Sequence, residues 1–512
     1  MTTRRARGEG PPRTGAAPEL IESGFTLENA DAPFLHSGLN LADMAHVLDL
    51  AQRGLVPPAA RRALLELLLE AHATPAEDFP YDPALGEPYN SREAWFVSRI
   101  GDVAGWLHAG RPRREAVRIA LRRHVRRQIA ELVAEAARFG LEAVAKAEEH
   151  VETVMPDQTY LQQAQPSTFG HYLVSFVYST LRDGRRLLGE LDWVDTSPGG
   201  AGCVNGTRLL ADREFVAAAL GFGDVIEHTR DAMWQVDGLI GVLSTASSLL
   251  SNLSKLAEDL EIWSSSEFDF VDLDDGYTRA SVLMPQKRNP YSLSIIRGAS
   301  GVLIGRLSGF LAVSKSPSAR SDNLIYAYGE VPRALDLALR IVRLSSGVVR
   351  TLWVNTERLA AEVRGGYTQA TDLAEYLVQH ADVDYRTAYL VVGRTVRAAS
   401  AAGVPGVEIT GEMIDRAAQE HCGRTLGMGG RDLGEVLDPW RIVLSRDARG
   451  GASPTAVGRM TADLRTQLDA LAATAAERAE AHRLAEVTLL DSARAGAAPA
   501  TGTITDTGGR TG

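Results

Sequence analysis

The chain has 512 residues, enough for two or three domains around a large core, and a formal net charge of −11. That balance, with no domain-scale basic face, excludes a nucleic-acid scaffold. Hydrophobic residues make up 45% and aromatic residues 6%, so the core is aliphatic and alanine-rich, a composition that favours packed helices over sheet sandwiches.

Residues 1–25 are rich in Arg, Gly, Pro and Ala and are expected to form a disordered tail; no apolar stretch follows their arginines, as a secretion signal would require. Helical patterns follow almost without break. Leu41 to Gln52 and Ala59 to His72 read as an antiparallel pair around the turn Gly54 to Pro58. Tyr81 to Ser91 reads as an ordered loop, and Arg92 to Leu107 as a helix. From Arg113 to Val154 only Gly140 interrupts helix formers, and Phe169 to Leu191 is another long element. Within Phe222 to Ser265, residues Leu243, Ala246, Leu249, Leu250, Leu253, Leu256, Ala257 and Leu260 recur three or four apart. Ser292 to Ser314 and Ala334 to Leu352 complete a set of about five long helices, the pattern of a bundle spine in an all-α protein. Ala370 to His380, Tyr385 to Ala402, Ile409 to Gln419 and Ala456 to Leu484 read as a separate helical cap. The expected division is a tail over 1–25, an N-terminal helical domain over 26–116, a central bundle over 117–365, a C-terminal helical domain over 366–490 and a second tail over 491–512.

Cys203 and Cys422 are too few for a disulfide framework, and no run approaches the ~18 uninterrupted apolar residues of a membrane span. A cytoplasmic protein without membrane or nucleic-acid partners is expected. The basic runs Arg111–Arg114 and Arg122–Arg127 read as a site rim and a solvated helix face. Lysine occurs only at 146, 255, 287 and 315, while arginine is abundant, so a lysine inside a motif stands out.

Three polar interruptions carry the chemistry. Thr278 to Pro290 reads Thr-Arg-Ala-Ser-Val-Leu-Met-Pro-Gln-Lys-Arg-Asn-Pro and precedes a long helix. Lys287 supplies charge and Asn289 amide donors, which can stabilise the enolate left when a proton departs beside a carboxylate. The residues alone leave open a capped helix start punctuated by Asn289-Pro290. This stretch resembles the Gly-Ser-Ser-x-Met-Pro-x-Lys-x-Asn signature of the fumarase/aspartase superfamily, and its Met-Pro-Gln-Lys-x-Asn-Pro form is similar to argininosuccinate lyases and delta-crystallins. The resemblance makes Ser281 the catalytic base, with Ala280 and Val282 in place of the flanking glycine and serine.

Asp157 to His171 resembles the family's Thr-His-Leu-Gln-x-Ala-Gln-Pro element, which gives Thr159 and Gln162 substrate contacts. The family's histidine becomes Tyr160, and its paired glutamate, five residues after Asn289, becomes Ser294. Losing one partner alone would strand the other, so the double replacement is chemically coherent. Tyr160 either donates a proton to the leaving amine or only packs and hydrogen-bonds; His171 reads as structural. Leu107 to Glu115 resembles Lys-Leu-His-Thr-Gly-Arg-Ser-Arg-Asn-Asp, which puts Arg113 where an arginine grips the dicarboxylate and Arg114 where an asparagine stands. The glycine-rich run Pro198 to Thr207 also matches, with Asn205 expected to line the pocket.

The resemblance runs from about Leu41 to Ala399. It implies a three-domain fold with a central long five-helix bundle, a homotetramer with a 20-helix core, and active sites shared between subunits. It implies reversible anti elimination of an amine from an N-substituted aspartate to give fumarate, a small-molecule dicarboxylate or amino-acid substrate, and amino-acid metabolism as the setting. Neither metal nor cofactor is expected. Where argininosuccinate lyases hold the arginine end with Tyr, Gln and Lys, this chain has Arg320, Ile325 and Tyr328. An arginine repels a guanidinium and an isoleucine cannot hydrogen-bond, which argues against argininosuccinate itself. Arg114 and Arg320 suit an amine with its own carboxylate. The alternatives are a true argininosuccinate lyase of arginine biosynthesis and a non-catalytic, crystallin-like relative.

Overall fold

The computed structural model describes residues 15–209, 212–316 and 326–498. The apolar periodicity is realised as α1 (Ala32–Gln52), α2 (Pro58–Ala73), α3 (Pro88–Ile100), α4 (Arg113–Glu149), α5 (Phe169–Val194), α6 (Asp237–Trp263), α7 (Tyr291–Ser314) and α8 (Glu330–Thr351). Pro33, Pro58 and Pro88 sit in first turns, where a missing N–H leaves no bond unmade. At ~1.5 Å per residue α4 is about 56 Å long, and it packs against α1, α5 and α8. Val125, Ile129, Leu249, Leu303 and Leu335 all belong to one buried core.

Several expected boundaries move. The helix expected over Arg92 to Leu107 begins at Pro88 and gives way at Ile100 to a 3-10 stretch, Gly101–His108, because Gly101 takes φ 58. Within Phe222 to Ser265 only Asp237–Trp263 is the long helix. The stretch before it holds one short turn, Thr229–Ala232, capped by His228. The helix expected to reach Val154 stops at Glu149, and β1 (Val154–Thr159) pairs antiparallel with β2 (Gln162–Thr168). Among the described residues the sheets are two-stranded pairs only, so the fold is all-α in character.

After α9 (Thr356–Gly365), a small unit of α10 (Ala370–His380), α11 (Tyr385–Ala401) and α12 (Gly411–Cys422) has its own core, including Leu373, Leu377, Val391, Ile414 and Met428. The last helix, α13 (Pro454–Ala497), does not join it. Its Leu464, Leu468, Leu471 and Leu489 belong to the main bundle core. Close approach is possible because α4 and α5 offer glycines there: a Cβ at Gly140 would meet Leu468 Cδ2 at 2.7 Å, and one at Gly184 would meet Leu471 Cδ2 at 2.6 Å. This helix carries order into the expected tail from 491, as the turns over Pro18–Asn29 do at the other end.

The basic run Arg122–Arg127 is not a solvated face. Arg122, Arg123 and Arg126 are buried and tie chain ends together. Arg122 donates to the carbonyls of Trp193 (2.9 Å) and Thr196 (3.2 Å). Arg126 pairs with Asp195 at 2.8 Å and donates to the Gly221 carbonyl at 2.7 Å. These donors satisfy carbonyls left open after α5 and after the short helix Arg213–Ala219. The helix α7 is long and apolar enough to cross a membrane by length and composition, yet it lies along α6, with Ile295, Val302, Ile304 and Leu311 exposed at its flanks.

Candidate active site

The expected site residues lie on three separate elements. The first is a cavity of about 770 Å³ beside the start of α4. Pro112 sets the helix start, and Arg113, Arg114, Val117, Arg118 and Leu121 line one wall. Tyr328 and Gly329, just before α8, form a second wall, and Phe25, Glu28, Asp31 and Phe34 a third. Arg113 donates through Nη1 to Asn90 Oδ1 at 2.8 Å, and its Nε lies 2.5 Å from Glu87 Oε1. Burial and then Glu87 push the Glu28 carboxyl up to about 7, against the pull of Arg113 and Arg114. Sequence reasoning reached Arg113, Arg114 and Tyr328 but missed Glu28, Asn90 and Arg118. Arg118 follows Arg114 by one helical turn, so the period of the helix was a usable signal; Glu28 and Asn90 had none. Arg320 and Ile325 lie outside the described residues.

A buried network braces this wall. Asp43 on α1 accepts from Arg92 Nη2 at 2.6 Å, from Tyr89 at 3.1 Å and from Arg111. Burial opposes its charge, but Arg111 and Arg92 outweigh it and hold the Asp43 carboxyl below its ordinary value. Arg111 is therefore a buried brace rather than part of a site rim. Glu115 faces the other way and accepts from the Gly200 and Gly202 amides, each at 2.8 Å, pinning the glycine-rich run; burial pushes its carboxyl up to about 7. Asn205, expected to line a pocket, is exposed on that run.

The second element is the hairpin tip. Thr159 pairs with Gln162, and Tyr160 and Leu161 between them take φ 55 and 57. Two left-handed residues fit the right-handed twist of a two-residue hairpin turn, a conformation that glycine or asparagine holds with less strain. The Tyr160 side chain is 99% exposed, so it packs on little of its own chain. Gln163 reaches Glu362 on α9 at 3.2 Å, and His171 bridges Ser167 (3.1 Å) and the Gly450 carbonyl (3.1 Å), anchoring the hairpin base.

The third element is the loop before α7. Arg279 and Ala280 pair with Asn289 and Arg288, and the Ser281 amide donates to the Lys287 carbonyl at 3.1 Å. The Ser281 Oγ accepts from the amides of Met284 at 3.0 Å and Leu283 at 3.3 Å. Two N–H donors on one hydroxyl oxygen favour negative charge on it, which is what a serine acting as base requires. Asn289 Nδ2 donates to the Arg279 carbonyl at 2.9 Å, so its amide is engaged within the loop. Arg288 bonds Asp272 (2.9 Å) and Asp275 (2.7 Å) at the loop's base, while Val282 and Leu283 stand fully in the open. Ser294 donates to Glu261 at 3.4 Å, and Arg297 pairs with the same carboxylate at 2.6 Å. A carboxylate thus stands beside Ser294, supplied by α6 rather than α7. Among the described residues no group of three or more His, Cys, Asp or Glu side chains could hold a metal ion.

Comparison with known proteins adds the following. A lyase family model matches residues 85–305, and an argininosuccinate lyase C-terminal model matches residues 367–443. The argininosuccinate lyase of Methanoculleus marisnigri is 34% identical over 433 residues, covering 84% of this chain and 86% of that protein. That of Methanosarcina acetivorans is 33% identical, covering 83% and 86%. The structure of EDDS lyase in complex with formate superimposes with a TM-score of 0.83 at 28% identity, covering 95% of this chain and 97% of that one. A variant of the same lyase with bound fumarate matches equally well, with a TM-score of 0.83. Class II fumarase from Schistosoma mansoni shares the fold, with a TM-score of 0.68 at 14% identity.

Proposed function

This chain belongs to the argininosuccinate lyase family of the fumarase/aspartase superfamily, and from that premise we propose how it works and on what. It is a carbon–nitrogen lyase that forms fumarate from a small amino-acid-type dicarboxylate. The proposed substrate is an N-substituted aspartate. Ser281 Oγ takes the Cβ proton; the electron pair moves into the adjacent carboxylate, held by Lys287 and Asn289, as an aci-carboxylate. Its collapse forms the carbon–carbon double bond and breaks the carbon–nitrogen bond, and the departing amine takes up a proton. Thr159, Gln162, Arg113 and Arg114 hold the succinyl part, with Tyr160 as proton donor. To hold the aci-carboxylate, Asn289 has to leave the Arg279 carbonyl it now bonds.

The observation that carries this reading is the Ser281 hydroxyl under two backbone amides on a loop that also bears Lys287. We place the active site between protomers of a homotetramer. The exposure of Tyr160, Val282 and Leu283, and of Ile295, Val302, Ile304 and Leu311 on α7, supports an assembly that covers them. The proposed divisions are 26–116, 117–365 and 366–490, with α13 packing back on the bundle. Fumarate release from a panel of aspartate adducts tests the reading: release from at least one, lost in Ser281→Ala, is expected, and equal turnover by that variant discards the base. Argininosuccinate belongs in the panel, because the relatives at 34% and 33% identity carry that activity in their names.

A further inference from the structure

The side of α4 that faces the cavity repeats at helical spacing: Arg114, Val117, Arg118 and Leu121. Three of these belong to any small-molecule pocket with a charged mouth. Arg118 does not. It is buried at 8% exposure, and its Nη2 has no hydrogen-bond partner among the described residues. Its guanidinium lies 5.5 Å from the centre of the Tyr328 ring, and the Tyr328 hydroxyl is also buried and unpartnered. The carboxylates of the cavity are occupied elsewhere: Glu87 by Arg113, Asp31 by Arg333 at 2.5 Å. Glu28 faces Arg113 and Arg114, not Arg118. Burial pushes Arg118 below its ordinary value; Tyr328 opposes the shift and Arg114 adds to it. A buried guanidinium and a buried phenol that have only each other as polar neighbours, both lining a cavity and with no carboxylate beside them, are a costly arrangement unless a ligand supplies the acceptor.

We propose that Arg118 and Tyr328 form a carboxylate-binding subsite at the base of this cavity, so that the leaving amine has an apolar body ending in a carboxylate. This rests on the lyase reading for its role in catalysis, though not for its binding. The cavity that Arg114 and Arg118 share is lined by Leu20, Phe25, Phe34, Leu85 and Leu121 as well, so the body it takes is hydrocarbon. One helical turn separates the two arginines, about 5–6 Å along the axis, which a short methylene chain spans. The cavity volume of about 770 Å³ is within the usual range for a small-molecule site. An arginine side chain would instead bring its own guanidinium against Arg118.

The test compares ε-aminocaproate with hexylamine, which differ by the terminal carboxylate. Calorimetric titration of the full-length protein is expected to show the amino acid binding about 10–100-fold more tightly, the range of one charge-assisted pair. Arg118→Met should erase that preference, and Tyr328→Phe should reduce it several-fold. Equal binding of both amines by the wild type, or an Arg118→Met variant that keeps the preference, overturns the subsite. Should Arg118→Met fail to fold, as checked by circular dichroism, an unaltered preference in Tyr328→Phe overturns it instead. Fumarate consumption with each amine is read in parallel. Preference in binding without fumarate consumption counts against the lyase reading alone and leaves the subsite standing.

Discussion

The cavity wall and the Ser281 loop differ in how their side chains are held. Arg113 is fixed by Glu87 and Asn90, and behind it Asp43, Arg92, Arg111 and Tyr89 form a buried network. Those groups were positioned when the bundle packed. Ser281, Lys287 and Asn289 are held by a two-residue strand pairing and by bonds within their own loop, with Val282 and Leu283 in solvent. The surface proposed to grip substrate is thus built before ligand arrives, while the proposed base rides on a segment whose contacts are local. Binding geometry and chemistry are separable in this chain, and substitutions should separate them.

Ser281→Ala is the sharpest test. Loss of the base should lower fumarate release by roughly 10³-fold or more, with a melting temperature that does not move, since the loop is exposed. An equal loss of stability would mean that the loop is part of the packed frame after all. Asp43→Asn should do the reverse. It removes the one carboxylate that pairs with the buried Arg92 and Arg111 among the described residues, at a cost of about 3–5 kcal/mol in denaturant unfolding. Because the Asp43 carboxyl is held below its ordinary value, its contribution is present above that value and is lost as pH falls through the lowered one. The variant should therefore flatten the acid limb of the stability profile.

Tyr160 probes the middle ground. Tyr160→Gly relieves a left-handed backbone and should raise stability by up to about 1 kcal/mol. If the phenol serves the leaving amine, Tyr160→Phe should cut turnover by about 10²-fold with KM nearly constant; full activity would return the residue to a surface role. The smallest effect concerns Glu28. Its pKa is raised from 4.5 to about 7, so burial favours the protonated form. Docking of residues 15–31 should be tightest below 4.5 and should weaken as pH rises through about 7, read by limited proteolysis. Glu28→Gln should remove that dependence.

The sequence made the long helices legible because leucine and alanine recur at helical spacing over many turns. It made the Ser281 loop legible because Met-Pro-Gln-Lys-x-Asn-Pro is long and specific. It hid what depends on tertiary packing. Arg122, Arg123 and Arg126 look like a solvated run until Arg122 is seen satisfying carbonyls at the end of α5, and Arg123 and Arg126 those of Leu220 and Gly221. The hairpin over 154–168 has prolines and glutamines in place of alternating apolar residues, so no strand period announced it. Arg118 belongs to no motif; only the cavity reveals that its charge is unmatched. Glu261 beside Ser294 shows the same limit, since a carboxylate absent from one helix stands within reach on the next.

The docking of α13 into the glycine notches of α4 and α5 has a consequence for biosynthesis. The bundle that an emerging chain begins to build with α4 and α5 stays open along one side until α13 has been made. Leu468 and Leu471 then seal grooves laid down more than 280 residues earlier, counting from Gly184. A nascent chain stalled near residue 450 would present that unsealed groove to the cell's folding machinery, whereas one extended through α13 would not.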